Sequence, residues 1–352
     1  MGFSLVEVLV ASAITLTGLL VITQVFAAYE GWKRTTTGVA QSQEGGLLGA
    51  FSIEKDLRHA GLGMIGLRCA KINAYNASAT PTSVALNGMP VTITQHAAAN
   101  GSDIINVIYS SSPFGNIVAT LQANAPRSSS VIEVDNGIGF SQGDLIVISQ
   151  PANDCSLVQL SNDGQVTGKA NVTGPGSTWQ LPHEPGDAFP WNPAAEQNIF
   201  PESPAVGYTT GAKVLNLGQL LEHTFYVHGD MLRMDERSLV DASLTSFDLI
   251  PGVVGLRARY GRDTDYDGAL DVFDNDTTDL LAKSLAADSG NTLNAVQFAL
   301  IVRSGKREKE LVSAASIAFW PGETLSLDDE ARHYRYRVLQ TIVPLKNIIW
   351  NN

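Results

Sequence analysis

Charge is scarce in this chain, and positive charge is scarcer still. Only 16% of residues are charged, and 23 Lys and Arg face 35 Asp and Glu, for a formal charge of -12. That balance argues against general nucleic-acid binding, which needs clustered cations against phosphate. It suits an exported β-rich protein better than a cytosolic enzyme, because Ser, Thr, Asn, Gly and Ala fill the polar positions instead. Cysteine is nearly absent: Cys69 and Cys155 are the two, with no C-x-x-C and no Cys/His cluster, so neither a thiolate metal site nor a dithiol redox motif is present. A single disulfide in an oxidising compartment and a pair of buried thiols both remain open. No G-x-S-x-G, H-E-x-x-H, Walker or Rossmann glycine pattern occurs, and the six histidines are scattered. No catalytic residue is assigned, and the chain reads as a non-enzyme. Proline is missing before Pro81, which leaves the start of the chain free for an uninterrupted helix.

What is present begins at once. From Val8 to Ala28 there is no charged residue, and a helix of that length spans roughly 30 Å, the thickness of a bilayer's hydrocarbon core. Glu7 stands at the start of the run, where a carboxylate is costly without a partner. Small residues Ala11, Ser12, Ala13 and Gly18 allow close helix approach, and Gly18 is the weakest point. The helix is expected to continue to about residue 60, turning amphipathic, with Val39, Leu47, Phe51, Ile53 and Leu57 toward a globular head. Gly38, Gly45, Gly46 and Gly49 threaten its continuity, and Gly61 or Gly63 supplies its C-terminal signal. Lys33 and Arg34 follow the apolar run on its outer side, against the positive-inside tendency.

Beyond the helix the periodicity changes to two. Strands are expected at Ser83–Asn87, Val91–Gln95, Asp103–Ser110, Val131–Asp135 and Asp144–Ser149, with His96 and Asp103 as surface and turn residues. Residues 174–206 hold seven of the fifteen prolines and read as an irregular loop. Its aromatics, Trp179, Phe189, Trp191 and Phe200, either tuck the loop onto a sheet or face a partner. Leu221–Val227 and Met231–Met234 form a hairpin across His228-Gly229-Asp230. Further strands are expected at Gly252–Gly261 and Val296–Val302, and Tyr334–Leu345 closes the sheet.

One loop, within 263–279, has ion chemistry. Asp263, Asp265 and Asp267 occupy the first, third and fifth positions of an EF-hand-like spacing, with Gly268 sixth. Ala269 offers a backbone carbonyl at the seventh, Asp271 stands ninth, and Asp274 replaces the usual twelfth glutamate. Hard oxygens on alternate residues of a tight turn suit Ca²⁺; a solvated acidic Asx-type turn is the plainer reading.

The string Gly2-Phe3-Ser4-Leu5-Val6-Glu7 resembles the processing signal of type IV pilins. Asp56-Leu57-Arg58-His59-Ala60-Gly61 leading to Cys69, GVVGLRARYGRDTDYDG, ALIVRSGKRE and YRVLQTIVPLKN resemble the PilW family of minor pilins. The resemblance implies an α+β, pilin-like fold: a long N-terminal helix packed on a large β-rich head. It places a leader remnant at 1–2, a membrane or filament-core helix at 3–30, an amphipathic half at 31–62 and a periplasmic head at 63–352. It implies cleavage between Gly2 and Phe3 by a prepilin peptidase, methylation of Phe3, and assembly pairing of Glu7 with a neighbour's N-terminus. It favours pairing of Cys69 with Cys155. The implied partners are the major pilin, other minor pilins and a tip adhesin, and the implied location is the inner membrane before assembly and the pilus tip afterwards. A pseudopilin of type II secretion and a membrane-anchored calcium-dependent binding module are the alternatives.

Overall fold

The computed structural model describes residues 4–64, 71–77, 83–86, 89–98, 101–111, 117–129, 131–151, 153–163, 165–167, 178–194, 196–202, 206–240, 243–265, 267–275, 277 and 293–349. A single helix, α1 (Leu5–His59), runs without interruption through every glycine that threatened it. Ser4 is its N-cap, and it ends at Ala60, followed by Gly61 at φ 75°, the left-handed turn-off that glycine adopts without a Cβ penalty.

The second half of α1 is buried along one stripe: Ser42, Gly46, Gly49, Ala50, Ile53, Asp56, Leu57 and Ala60, the three-and-four spacing of a helix face. The expectation for this face is half right. Ile53 and Leu57 are fully buried, whereas Leu47 and Phe51 are exposed and Val39 is intermediate. The reason is steric. A Cβ on Gly46 would collide with Leu339 and lie 3.1 Å from Val302, and one on Gly49 would lie 3.2 Å from Leu232. The glycines form the contact surface, letting the helix axis lie close to the strands at some cost in helix propensity.

Two sheets receive this stripe. One is five-stranded and antiparallel, in the order β14 (Leu244–Pro251), β13 (Met231–Ser238), β12 (Leu220–His228), β4 (Ile104–Ser110), β3 (Val91–Thr94). The other runs β16 (Val272–Asp274), β15 (Val253–Arg262), β17 (Leu293–Arg303), β20 (Tyr336–Pro344). The β12–β13 hairpin turns through Gly229 and Asp230, both at positive φ. β17 is buried on ten successive positions because a ribbon of β18 (Ser316–Trp320) and β19 (Glu323–Ser326) covers its other face through Phe319. β20 closes the sheet as expected, and a short helix, α2 (Lys346–Ile349), follows it. Ala50, Ile53, Leu57 and Ala60 of α1 join residues of both sheets in one core.

Among the described residues, the cores of the rest of the head contain no residue of α1. A six-stranded sheet runs β2 (Ser83–Leu86), β1 (Ile72–Tyr75), β8 (Cys155–Gln159), β7 (Leu145–Ser149), β11 (Lys213–Gly218), β5 (Val118–Thr120). Beside it lie β6 (Ile132–Val134), β10 (Thr178–Leu181) and β9 (Gln165–Thr167). Two cores fill this region, one on each face of the larger sheet. The proline-rich segment is not wholly irregular, since β10 lies within it and pairs on both sides. Of its aromatics, Trp191 and Phe200 are buried, Trp179 packs against a core, and the Trp191 indole N–H donates to the Leu239 carbonyl. These three tuck the segment onto the sheet.

Candidate functional site

The helix N-terminus, the outward helix face, the acidic loop and the buried cysteine are the places where sequence and structure meet. Gly2 and Phe3 lie outside the described residues. Glu7 is exposed, and its carboxylate accepts from the Ser4 backbone N–H at 3.5 Å, the back-reach of a capping box. Around and beyond it Leu9, Ile14, Leu19, Val25 and Phe26 are all more than half exposed. This part of α1 is long and apolar enough to cross a membrane, and water is a poor solvent for it.

No large apolar side chain is exposed from Lys33 to Gly46 among the described residues, and apolar surface returns where the helix lies on the head. Leu47, Leu48 and Phe51 are 53–63% exposed on the outward face of α1, and with Ala40, Gln43 and Glu44 they line a shallow groove. A soluble monomer rarely shows apolar patches of this kind without a partner.

In the acidic loop, carboxylate oxygens of Asp263, Asp265 and Asp267 all lie within 4.8 Å of one another. Asp263 is buried while the other two are exposed. The loop is shaped by its own backbone: Gly268 N–H donates to Asp263 at 2.8 Å, Ala269 N–H to Asp267 at 2.7 Å and Asp267 N–H to Asp265 at 3.3 Å. Asp271 accepts from the Thr264 N–H and hydroxyl, and these bonds hold its carboxyl below the usual range. Asp274 has a protein partner instead of facing the other aspartates. It is paired with Arg262, Nε to Oδ1 at 2.8 Å and Nη2 to Oδ2 at 2.5 Å, across the β15–β16 turn. A carboxylate held by an arginine in this way is turned from the loop's interior charge toward Arg262. The three-carboxylate set is the part of the EF-hand-like pattern that converges.

Cys155 is fully buried at the start of β8, and its N–H donates to the Lys71 carbonyl. Cys69, just before Lys71 in sequence, lies outside the described residues.

Two polar centres escaped the sequence reading. Asp103 is not a surface turn residue: it is 1% exposed, accepts from Ala258 N–H at 2.9 Å and His96 N–H at 2.9 Å, and lies 3.6 Å from Arg257. The second centre pins α1 to the sheet. His223 Nδ1 lies 2.6 Å from Asp56 of α1, and its Nε2 lies 3.0 Å from Glu236 of β13. The Tyr109 hydroxyl sits 3.3 Å from the same Nδ1. Burial works against a charge on His223, but the two carboxylates outweigh it and raise its pKa. Asp56 falls on the buried stripe between Ile53 and Leu57, which was the one available signal. Its partners, 167 and 180 residues away, had none.

A family model described as Type IV Pilus-assembly protein W, PilW, matches residues 224–347. The match runs from within β12 into α2 and takes in most of both sheets that seat the helix. No curated protein and no solved structure matches the chain.

Proposed function

We propose that this chain is a minor pilin that helps to start assembly of a type IV pilus. One observation carries the reading: the PilW match takes in most of the strands that receive α1, while the helix leaves two apolar stretches exposed, Leu5 to Trp32 and Leu47 to Phe51. A helix built this way is held by its head on one face and by neighbouring helices or lipid on the other. In this reading the subunit waits in the inner membrane with its head in the periplasm. It then joins the major pilin and other minor pilins in a priming complex at the pilus tip, where it presents an adhesin. A prepilin peptidase cuts between Gly2 and Phe3 and methylates Phe3.

Glu7 then leaves its local bond to Ser4 and neutralises the N-terminal ammonium of a neighbour. The cost of misplacing such a pair in an apolar bundle sets the register. The acidic loop holds Ca²⁺ through Asp263, Asp265 and Asp267, with Ala269 supplying a carbonyl and Asp271 closing the turn. Cys69 and Cys155 form a disulfide that ties the exit of α1 to β8. The role is assembly, with no catalytic step.

The test is a strain lacking the gene, scored for sheared surface pili and for secreted hydrolase activity. Loss of pili with secretion intact, unrescued by Glu7→Val, is expected. Loss of secretion alone would assign the chain to a type II secretion pseudopilus. No change in either would sink the assembly reading in favour of a membrane-anchored, calcium-dependent binding module.

A further inference from the structure

The head carries a basic corner where it meets the exposed half of α1. A cleft of about 640 Å³ opens between Gly31, Trp32 and Gly38 of the helix and Lys306, Arg307 and Lys309 of the loop joining β17 to β18. The closest approach seats Ser304 opposite Gly38, where a Cβ would stand 3.9 Å away. In a chain of charge -12 this corner is an exception. Arg307 is paired with Glu330 at 2.8 Å and Arg335 with Glu308 at 2.7 Å. Lys306 and Lys309 are exposed and have no ion pair among the described residues. Lys33, next to Trp32 in the chain, is exposed on the helix.

The axial position of the corner decides its use. The uncharged run ends at Ala28, so Trp32 stands about 6 Å and Gly38 about 15 Å further along the helix axis. If the apolar run fills the hydrocarbon, the polar headgroup layer extends roughly 5–8 Å beyond it. Trp32, 78% exposed, then lies at the level where interfacial aromatics sit. The lysines that share its cleft lie within a Debye length of the lipid phosphates.

We infer that this cleft docks on anionic phospholipid headgroups and holds the unassembled head against the membrane surface. The inference rests on the membrane-anchored reading above and gives it a second contact. It also accounts for a pattern that topology alone does not. Lys33 and Arg34 follow the span in sequence on its head side, where basic residues are ordinarily depleted, at the level where an anionic headgroup layer would offset their charge. Extraction from the bilayer during assembly would break this contact.

The test uses the full chain in nanodiscs of pure phosphatidylcholine or with about one third phosphatidylglycerol. Hydrogen exchange is read over residues 304–313, and flotation with lipid reports insertion. Each basic group near an anionic surface contributes roughly a fivefold preference. The loop should therefore exchange at least about fivefold more slowly in anionic discs, and the difference should vanish in Lys306→Gln/Lys309→Gln. Inserted protein with equal exchange in both discs, or slowing that survives in the variant, overturns the inference and leaves anchoring intact. Slowing in neutral discs with inorganic phosphate alone would make the cleft a free-anion site and overturn the lipid assignment. Protein that does not float with lipid overturns the anchoring reading and this inference together.

Discussion

The head divides into a region that seats α1 and a region that ignores it, and the two are built by different rules. In the first, β12, β13, β15, β17 and β20 gather around a single helix face, and one continuous core serves both sheets. In the second, the six-stranded sheet buries both of its own faces, with separate cores above and below. The PilW match begins within β12, so it leaves out β3 and β4 of the five-stranded sheet and the whole of the six-stranded sheet. The matched stretch thus takes in strands that seat α1 and none of the six-stranded sheet.

The comparison breaks hardest at the Asp56–His223–Glu236 pin, the one buried ionic link between α1 and the five-stranded sheet among the described residues. His223→Leu removes the donor shared by two carboxylates and leaves Asp56, 5% exposed, without its histidine. Breaking a buried pair in this way costs about 3–5 kcal/mol. We expect a large drop in melting temperature for the detergent-solubilised chain, and hydrogen exchange should locate the loss in α1, β12 and β13.

The pin also has a sign in pH. The folded-state pKa of His223 is raised, so its contribution is fully present below the unfolded value of about 6.5 and is lost as pH rises through the folded pKa. A neutral imidazole has one N–H and cannot serve Asp56 and Glu236 together. Wild-type stability should therefore fall from pH 6 toward pH 8, and a His223→Gln chain should show a flatter profile. A wild-type profile that rises over that range would contradict the assignment.

Next in size is a matched pair of cavities. Leu57→Ala in the helix-seating core and Ile146→Ala in the other region each remove a fully buried side chain, at about 2–5 kcal/mol. If the regions are as separate as their cores, Leu57→Ala should speed exchange in β15, β17 and β20 and spare β7 and β8. Ile146→Ala should do the reverse. Equal acceleration everywhere in both variants would show a single cooperative unit and erase the distinction.

What the sequence made legible follows the same division. The β12–β13 hairpin, β17 and β20 were readable because a strand buried on both faces, or a tight turn between alternating runs, leaves a local signature. The helix was readable as a helix, but its inward face was read partly in the wrong phase. Both faces are apolar, and the larger side chains, Leu47, Leu48 and Phe51, point outward while glycines point in. Hydrophobic periodicity finds a core-facing stripe only when the other face is polar. Strands β1, β5, β8 and β10 were missed because they are short and interrupted by loops. The EF-hand-like spacing was visible, whereas the Arg262–Asp274 pair that reshapes it depends on a strand pairing that spacing does not encode.

The smallest expected effect concerns that loop, and it sharpens the comparison because the loop hangs between β15 and β16 on the helix-seating side. Three carboxylates within 4.8 Å repel one another unless a cation joins them, and here the backbone N–H groups of Gly268 and Ala269 offset only part of that repulsion. Ca²⁺ tolerates irregular oxygen shells, whereas Mg²⁺ demands a near-ideal octahedron and keeps its waters. At about tenfold excess over the dissociation constant, Ca²⁺ should add roughly 1.4 kcal/mol, a rise of a few degrees in melting temperature, and Mg²⁺ should add nothing. Asp265→Asn/Asp267→Asn should abolish the rise and stabilise the calcium-free chain slightly, because it relieves the repulsion. Asp274→Asn should destabilise the chain with or without calcium, since its partner is Arg262. If Asp274→Asn abolished the calcium response while Asp265→Asn/Asp267→Asn left it unchanged, the ion would be held by the far end of the loop, and the Arg262 pair would have to open for it.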